Sequence, residues 1–235
     1  MLLLLLACTP PPPADPCVDD GGAGALSTCL TAPLPESWYV DQSSRYFDTL
    51  ESDFSGDGGP AYAEGVARWE WPPWLELTGY GREDMEAVDA VIRLIPTSVP
   101  ERDCRFFPTQ PFGRCRVSFR YAEHPDDTCP IYEEFTFNEA GAITFIEAWS
   151  DDPAYLPAPG DEWAEGPDVH RLSTRIPGLG SESGAIDLDG EWMTVAAEAD
   201  PEVAHFVASA RDFWNAWLAA YEAAGPDVFA EGCGW

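Results

Sequence analysis

At 235 residues the chain is long enough for one large domain or two small ones, and its content of 45% hydrophobic and 13% aromatic residues suffices for a sizeable core, which speaks against disorder beyond the N-terminus. The formal net charge is −30, and all twelve basic residues are arginine. Phosphate binding needs basic surface, so nucleic acid is excluded as a general partner, and the acidity serves solubility.

The chain starts with an apolar run, Leu2 to Ala7, that ends at Cys8 and gives way to a proline-rich tract. Leu5-Leu6-Ala7-Cys8 resembles the lipobox of bacterial lipoproteins. That resemblance implies that residues 1–8 are a lipoprotein signal with its lipidation site at Cys8, and that the protein is exported and held at the cell envelope by a lipid membrane anchor. Residues 9–35, rich in proline and glycine, then read as a tether. Setting Cys8 aside leaves Cys17, Cys29, Cys104, Cys115, Cys129 and Cys233. An even number in an exported chain predicts disulfides. Cys17 and Cys29 bracket a short Gly-rich segment and are expected to pair, with the other four in two further bridges of open connectivity. No CxxC pair exists and the histidines lie far from the cysteines, so no metal site is expected.

Residues 36–54 carry Trp38, Val40, Tyr46, Phe47, Leu50 and Phe54 at three- and four-residue spacings, the pattern of an amphipathic helix. Residues 60–69, opening on Pro60, read as a second short helix. Pro72 and Pro73 forbid helix, so Trp69, Trp71 and Trp74 are expected from an extended segment as the lining of a pocket for an apolar or aromatic ligand. Residues 75–78 suit the start of a strand. Helix returns over 82–95, where Met85, Val88, Ile92 and Ile95 share a face and Pro96 stops it. Residues 100–113 read as a loop or irregular strand. Next, Cys115, Val117, Phe119 and Tyr121 alternate with Arg114, Arg116, Ser118 and Arg120, giving a strand with one apolar and one basic face. The arginine stripe suits neighbouring acids more than a phosphate or carboxylate partner.

Residues 115–151 contain the clearest hairpin, turning across Asn138 to Gly141. A glycine-closed four-residue loop places Gly141 at positive φ. If Gly141 is a bulge, Phe137 faces Ile143, Phe135 faces Phe145 and Glu133 faces Glu147. Two opposed carboxylates repel unless an arginine or a shared proton relieves them, and one of a buried pair would have the raised pKa of an acid or base. The alternative is a pair at an open, wet rim.

After Asp152 the composition turns to proline and glycine. His170, Arg171 and Arg175, in a loop over 168–184, are placed to neutralise those carboxylates or to grip an anionic ligand, a structural tie being favoured. Residues 200–224 read as one long helix with a broad apolar face including Val203, Phe206, Val207, Phe213, Trp214 and Trp217. Neither a GxSxG elbow nor a complete EF-hand loop is present.

The order helix, helix, short strand, helix, then antiparallel strands ending in the Gly141 hairpin resembles the NTF2-like cone, a group that includes SnoaL-like polyketide cyclases and ketosteroid isomerases. The resemblance covers residues 36–152. It implies an α+β fold with a curved antiparallel sheet, N-terminal helices roofing a pocket, and residues 153–235 as a C-terminal helical embellishment packed on the same domain. This fold hosts enzymes and binding modules alike. The first expectation is a non-catalytic module for a small apolar or aromatic molecule or a peptide. The second is an isomerase or cyclase that uses Glu133, Glu147 or Glu70 as acid or base with Tyr46 as hydrogen-bond donor. The third is a structural envelope protein that works through an aromatic surface. No cofactor is expected, and a homodimer stays open.

Overall fold

The computed structural model describes residues 32–72, 74, 77–94, 97–122, 125–165, 169–176, 186–224 and 233. Cys8 and residues 9–31 of the tether, with Cys17 and Cys29, lie outside these residues. The elements run α1 (Glu36–Leu50), β1 (Tyr62–Glu70), β2 (Gly79–Tyr80), α2 (Arg82–Leu94), β3 (Thr97–Phe106), β4 (Gly113–Tyr121), β5 (Cys129–Phe137), β6 (Ile143–Ser150), α3 (Glu191–Ala199), α4 (Pro201–Arg211) and α5 (Phe213–Ala224). The fold is α+β. Its six strands form one sheet in the order β2-β1-β6-β5-β4-β3, and the sheet is mixed, because β1 runs parallel to β6.

Residues 62–70 are thus a strand, where the sequence suggested a second helix. Val66, Ala67 and Trp69 are all buried, so both faces of β1 are covered and no period-2 alternation marks it. Residues 100–106 belong to a regular edge strand, β3. The expected C-terminal helix is two helices, α4 and α5, broken at Asp212, which has left helical geometry (φ −122°, ψ 28°). Asp200 caps α4 by accepting from the backbone N–H groups of Glu202 (2.9 Å) and Val203 (3.4 Å), with Pro201 in the first turn.

The inner face packs on α1. Tyr39, Tyr46, Phe47 and Leu50, at helical spacing, meet Cys115, Val117, Phe119, Phe135 and Phe137 from the strands. Each large apolar side chain buried there contributes roughly 1.5–3 kcal/mol. α1 approaches closely because β4 opens on Gly113, where a Cβ would run into the Ser43 hydroxyl. The outer face carries a second core, in which Trp69, Tyr132, Phe145 and Trp149 are covered by Leu156, Leu172, Ile176 and the apolar sides of α3 and α4.

Gly141 has φ +75°, as the hairpin pattern predicts, and its N–H donates to the Asn138 carbonyl at 2.9 Å. Phe137 does face Ile143. Above that pair the register departs from expectation: Thr136 faces Phe145 and Phe135 faces Ile146, leaving Thr144 as the extra residue. The Thr144 hydroxyl donates to the Thr136 carbonyl (3.2 Å), which accommodates the irregularity. The bulge therefore lies three residues beyond the glycine. Glu133 faces Ala148, and the residue opposite Glu147 is Glu134.

Two disulfides are formed among the described cysteines, Cys104–Cys115 across the directly paired β3 and β4, and Cys129–Cys233.

Candidate functional site

The one-residue shift in register sends Glu133 and Glu147 to opposite faces of the sheet, because side chains alternate along a strand. Their expected partnership is thereby overturned. Glu133 points inward, where it joins Tyr46 from α1 and Arg68 and Glu70 from β1. Arg68 Nη2 is 3.7 Å from Glu133 Oε1 and 3.5 Å from Glu70 Oε1. Arg68 Nε donates to the Tyr46 hydroxyl at 3.1 Å, and Nη1 donates to the Leu77 carbonyl at 3.1 Å. Glu70 Oε2 in turn accepts from the Leu77 N–H at 3.1 Å.

Arg68, Tyr46 and Glu133 are buried. Burial alone would lower the pKa of Arg68, but Tyr46, Glu133 and Glu70 around it prevail and hold it protonated. Glu133 lies at 0% exposure, and neither of its oxygens has a hydrogen-bond partner among the described residues. Burial pushes its carboxyl up to about 7, against the pull of Arg68. Tyr121, half-buried at the end of β4, is held above its ordinary value by burial and by Glu70 and Glu133. A buried acid that titrates near neutrality, with a cation at 3.7 Å and no closer hydrogen-bond partner among the described residues, is the kind of group that marks a functional site.

The outer face carries a second buried polar cluster, with every carboxylate oxygen engaged. Glu134 accepts from Arg114 Nε at 2.6 Å and from Arg171 Nε and Nη2 at 2.8 and 2.9 Å. Burial would raise Glu134, but Arg114 and Arg171 outweigh it and hold the carboxyl below the usual range. Arg114 also donates to the carbonyls of Glu162 (3.2 Å) and Ala164 (3.0 Å). Glu147 accepts from the backbone N–H groups of Leu172 (2.5 Å) and Ser173 (3.0 Å) and from the Trp71 indole (2.8 Å). Burial and then Glu134 push Glu147 up to about 7, against those three donors. This cluster fastens residues 162–165 and 169–173 to the sheet.

Of the residues singled out from sequence, Tyr46, Glu70 and Glu133 come together, and Glu147 does not join them. Trp69, Trp71 and Trp74 line no common pocket: Trp69 and Trp71 lie in the outer core, Trp71 stacked on Trp149 (6.4 Å, 11°), whereas Trp74 belongs to the inner one. Arg171 is engaged by Glu134, Arg175 pairs with Asp200 and Glu202, and His170 sits 3.1 Å from Glu202. All three thus lie against acidic side chains of the protein. Of the arginine stripe, Arg114 and Arg116 pair with acids, and Arg114 does so while buried, since residues 162–165 cover it.

Arg68, Glu134 and Asp89 were not legible as site residues. Arg68 fell in the stretch read as helix, and Glu134 was one register step from the residue chosen. Asp89 lies in α2 at 3% exposure, and the only signal was an aspartate beside the apolar Val88. Among the described residues no group of His, Cys, Asp and Glu is placed to hold a metal ion.

No family model and no curated protein matches the chain. Among solved structures, it is similar to an NTF2-like protein from Burkholderia xenovorans LB400 at 14% identity, over 51% of this chain and 90% of that one, with a TM-score of 0.36. The functional reading therefore rests on the side chains.

Proposed function

We propose that the protein is a small-molecule-binding domain whose ligand is read by Glu133. The observation that carries this is the burial of both Glu133 oxygens without a hydrogen-bond partner among the described residues. An unpaired buried polar atom costs roughly 1–3 kcal/mol, and a ligand oxygen beside it would recover that cost. Trp74, Phe119, Ile131 and Ala148 belong to the same inner core and suit an apolar or aromatic body. The ligand class is therefore an aromatic or alicyclic molecule with one hydroxyl or carbonyl.

Titration with 2-naphthol, 2-acetylnaphthalene and naphthalene, followed by tryptophan fluorescence, tests this. The oxygenated probes should bind about tenfold more tightly than naphthalene, the equivalent of one good hydrogen bond. Glu133→Leu should erase that preference while leaving naphthalene unaffected. Equal affinity for all three in the wild type, or a preference that survives Glu133→Leu, overturns the reading.

One observation favours acid–base turnover as the second reading. A carboxyl pushed up to about 7 populates both protonation states at neutral pH, and Arg68 with Tyr46 stands next to it to stabilise a developing oxyanion. In that case Glu133→Gln keeps binding and loses turnover of an enolisable ketone.

The proposal extends to location. The lipobox-like Leu5-Leu6-Ala7-Cys8 supports acylation of Cys8 and attachment to the cell envelope. Cys8→Ser should then move the protein from the membrane fraction to the soluble one, and continued membrane attachment would sink this part.

A further inference from the structure

Between the end of α1, the following loop, the start of β1 and the outer side of α2 lies an open cleft of about 330 Å³. Phe54, Gly59, Tyr62, Glu86, Asp89 and Arg93 line it. Asp89 is 3% exposed, which is unusual for an aspartate in a helix. Its Oδ2 accepts from the Tyr62 hydroxyl at 3.2 Å, while its buried Oδ1 has no hydrogen-bond partner among the described residues. The nearby Thr49 hydroxyl donates instead to the Tyr46 carbonyl at 2.6 Å.

Arg93 is the cation at hand, and its position leaves Asp89 open. Its Nη1 donates to the Thr49 carbonyl, and its guanidinium carbon lies 5.5 Å from the centre of the Phe54 ring. Asp89 and Glu86 against Arg93 leave the cleft with a net negative charge, in a protein whose whole field is strongly negative. Two carboxylates are too few oxygens for a hard divalent ion, which takes six or more. Aromatic rings beside an unpaired buried carboxylate suit a cation with an organic body.

We propose that this cleft is a binding site for a small organic monocation, with its ammonium or amidinium group on Asp89 Oδ1 and its apolar part against Phe54 and Tyr62. The site adjoins the Glu133 cluster through Tyr46 and Arg68 but opens to a different cleft, and it does not depend on the ligand proposed there. Burial pushes the Asp89 carboxyl up to about 6, with Thr49, Tyr62, Arg93 and Arg68 pulling the other way, so the site is ionised and ready for a cation above that pH.

The test is calorimetric titration of the full chain with benzylammonium, benzyl alcohol and benzoate at about pH 7.5. Benzylammonium should bind about tenfold more tightly than benzyl alcohol, one charge-assisted hydrogen bond being worth that much, and benzoate should not bind. Asp89→Asn should reduce benzylammonium to the level of the alcohol. A second arm needs no variant. Lowering the pH to about 5 protonates Asp89 and should weaken benzylammonium about tenfold while sparing benzyl alcohol. The groups facing Asp89 are Tyr46 and Thr49 of α1, Tyr62 and Arg68 of β1, and Glu86 and Arg93 of α2, with Glu133 of β5 close enough to feel its charge. The uncharged and cationic ones keep their charge between those pH values, and the two carboxylates are controlled for by Glu86→Gln and Glu133→Gln, each of which should keep the pH effect. Equal binding of ammonium and alcohol, or an ammonium affinity indifferent both to pH and to Asp89→Asn, overturns the proposal.

Discussion

Glu134 and Glu147 stand directly opposite each other on the outer face of the β5–β6 pair, both buried, yet they answer to different partners. Glu134 is clamped by two guanidinium groups, and Glu147 is held by three N–H donors. Opposed carboxylates ordinarily destabilise a sheet. Here they serve as anchors on which residues 162–165 and 169–173 are docked, and their mutual repulsion is absorbed by Arg114 and Arg171.

Removing Glu134 should therefore unsettle more than its own contacts. Glu134→Ala leaves the buried Arg114 and Arg171 with only the partly exposed Glu165, at 3.5 and 3.3 Å, as a shared counter-charge, and the expected loss is about 3 kcal/mol in urea unfolding. Arg171→Ala should release the 169–176 loop to proteolysis first, because Arg114 keeps a grip on Glu134 from within the sheet. A double-mutant cycle showing no coupling between positions 134 and 171 would contradict this account.

Glu133 sets the pH dependence of stability on the other face. Its pKa rises from 4.5 in the unfolded chain to about 7 in the fold. A raised acid contributes stability that is complete below about pH 4.5 and is lost as pH climbs through about 7, a change of about 3 kcal/mol. Asp89 and Glu147 act in the same direction, whereas Glu134, whose pKa is lowered, acts in the opposite one. The comparison of Glu133→Gln with wild type isolates the group: the variant should be the more stable at pH 8, by about 3 kcal/mol, with the advantage shrinking toward pH 5. Parallel stability curves for the two proteins would refute the assignment.

Legibility followed exposure. The hairpin was readable because Phe135, Phe137, Ile143 and Phe145 and a turn glycine leave a local pattern, and α1 and α2 because one side of each meets solvent. β1 was not readable, since a strand covered on both sides has no polar face to announce its period. The Glu133–Glu147 error came from one residue, Thr144, whose extra place in β6 depends on tertiary packing and leaves no mark in a run of β-formers. Three of the four candidate catalytic residues still converged, because Tyr46, Glu70 and Glu133 sit on segments whose inward faces were fixed by their aromatic neighbours. Arg68, the residue that joins them, needed the three-dimensional sheet.

Gly141 offers a test of the hairpin itself. At φ +75° a side chain is strained, and a Cβ there would also meet Leu34 and lie 2.6 Å from Trp38 Nε1, whose N–H donates to the Gly141 carbonyl at 2.9 Å. Backbone strain alone is worth about 1–2 kcal/mol, so Gly141→Ala should cost at least that in thermal or urea unfolding. Displacement of the Trp38 indole should show as a red shift of its emission. A neutral effect would mean that the turn and α1 are not coupled as the contacts indicate.

The two disulfides should differ in worth for a reason independent of their local surroundings. Cys104–Cys115 joins residues 11 apart in sequence, and Cys129–Cys233 joins residues 104 apart. Closing a loop removes unfolded-state entropy roughly as the logarithm of its length, which gives about 3 kcal/mol for the short loop and about 4.7 kcal/mol for the long one. The paired substitutions Cys104→Ala with Cys115→Ala and Cys129→Ala with Cys233→Ala, compared by urea unfolding, should therefore rank in that order. The long loop contains Arg171 and Asp200, whose ion pairs hold the C-terminal segment to itself and to the sheet in the native state. Those ties disappear on unfolding, so they leave the entropic advantage of the Cys129–Cys233 link intact. If the short-loop pair proved the more destabilising, the stabilisation would have to come from native packing around Cys115, which is fully buried against α1 in the inner core. Cys104→Ser with Cys115→Val, which refills that position with an apolar side chain, separates the two causes by restoring stability only in the packing case.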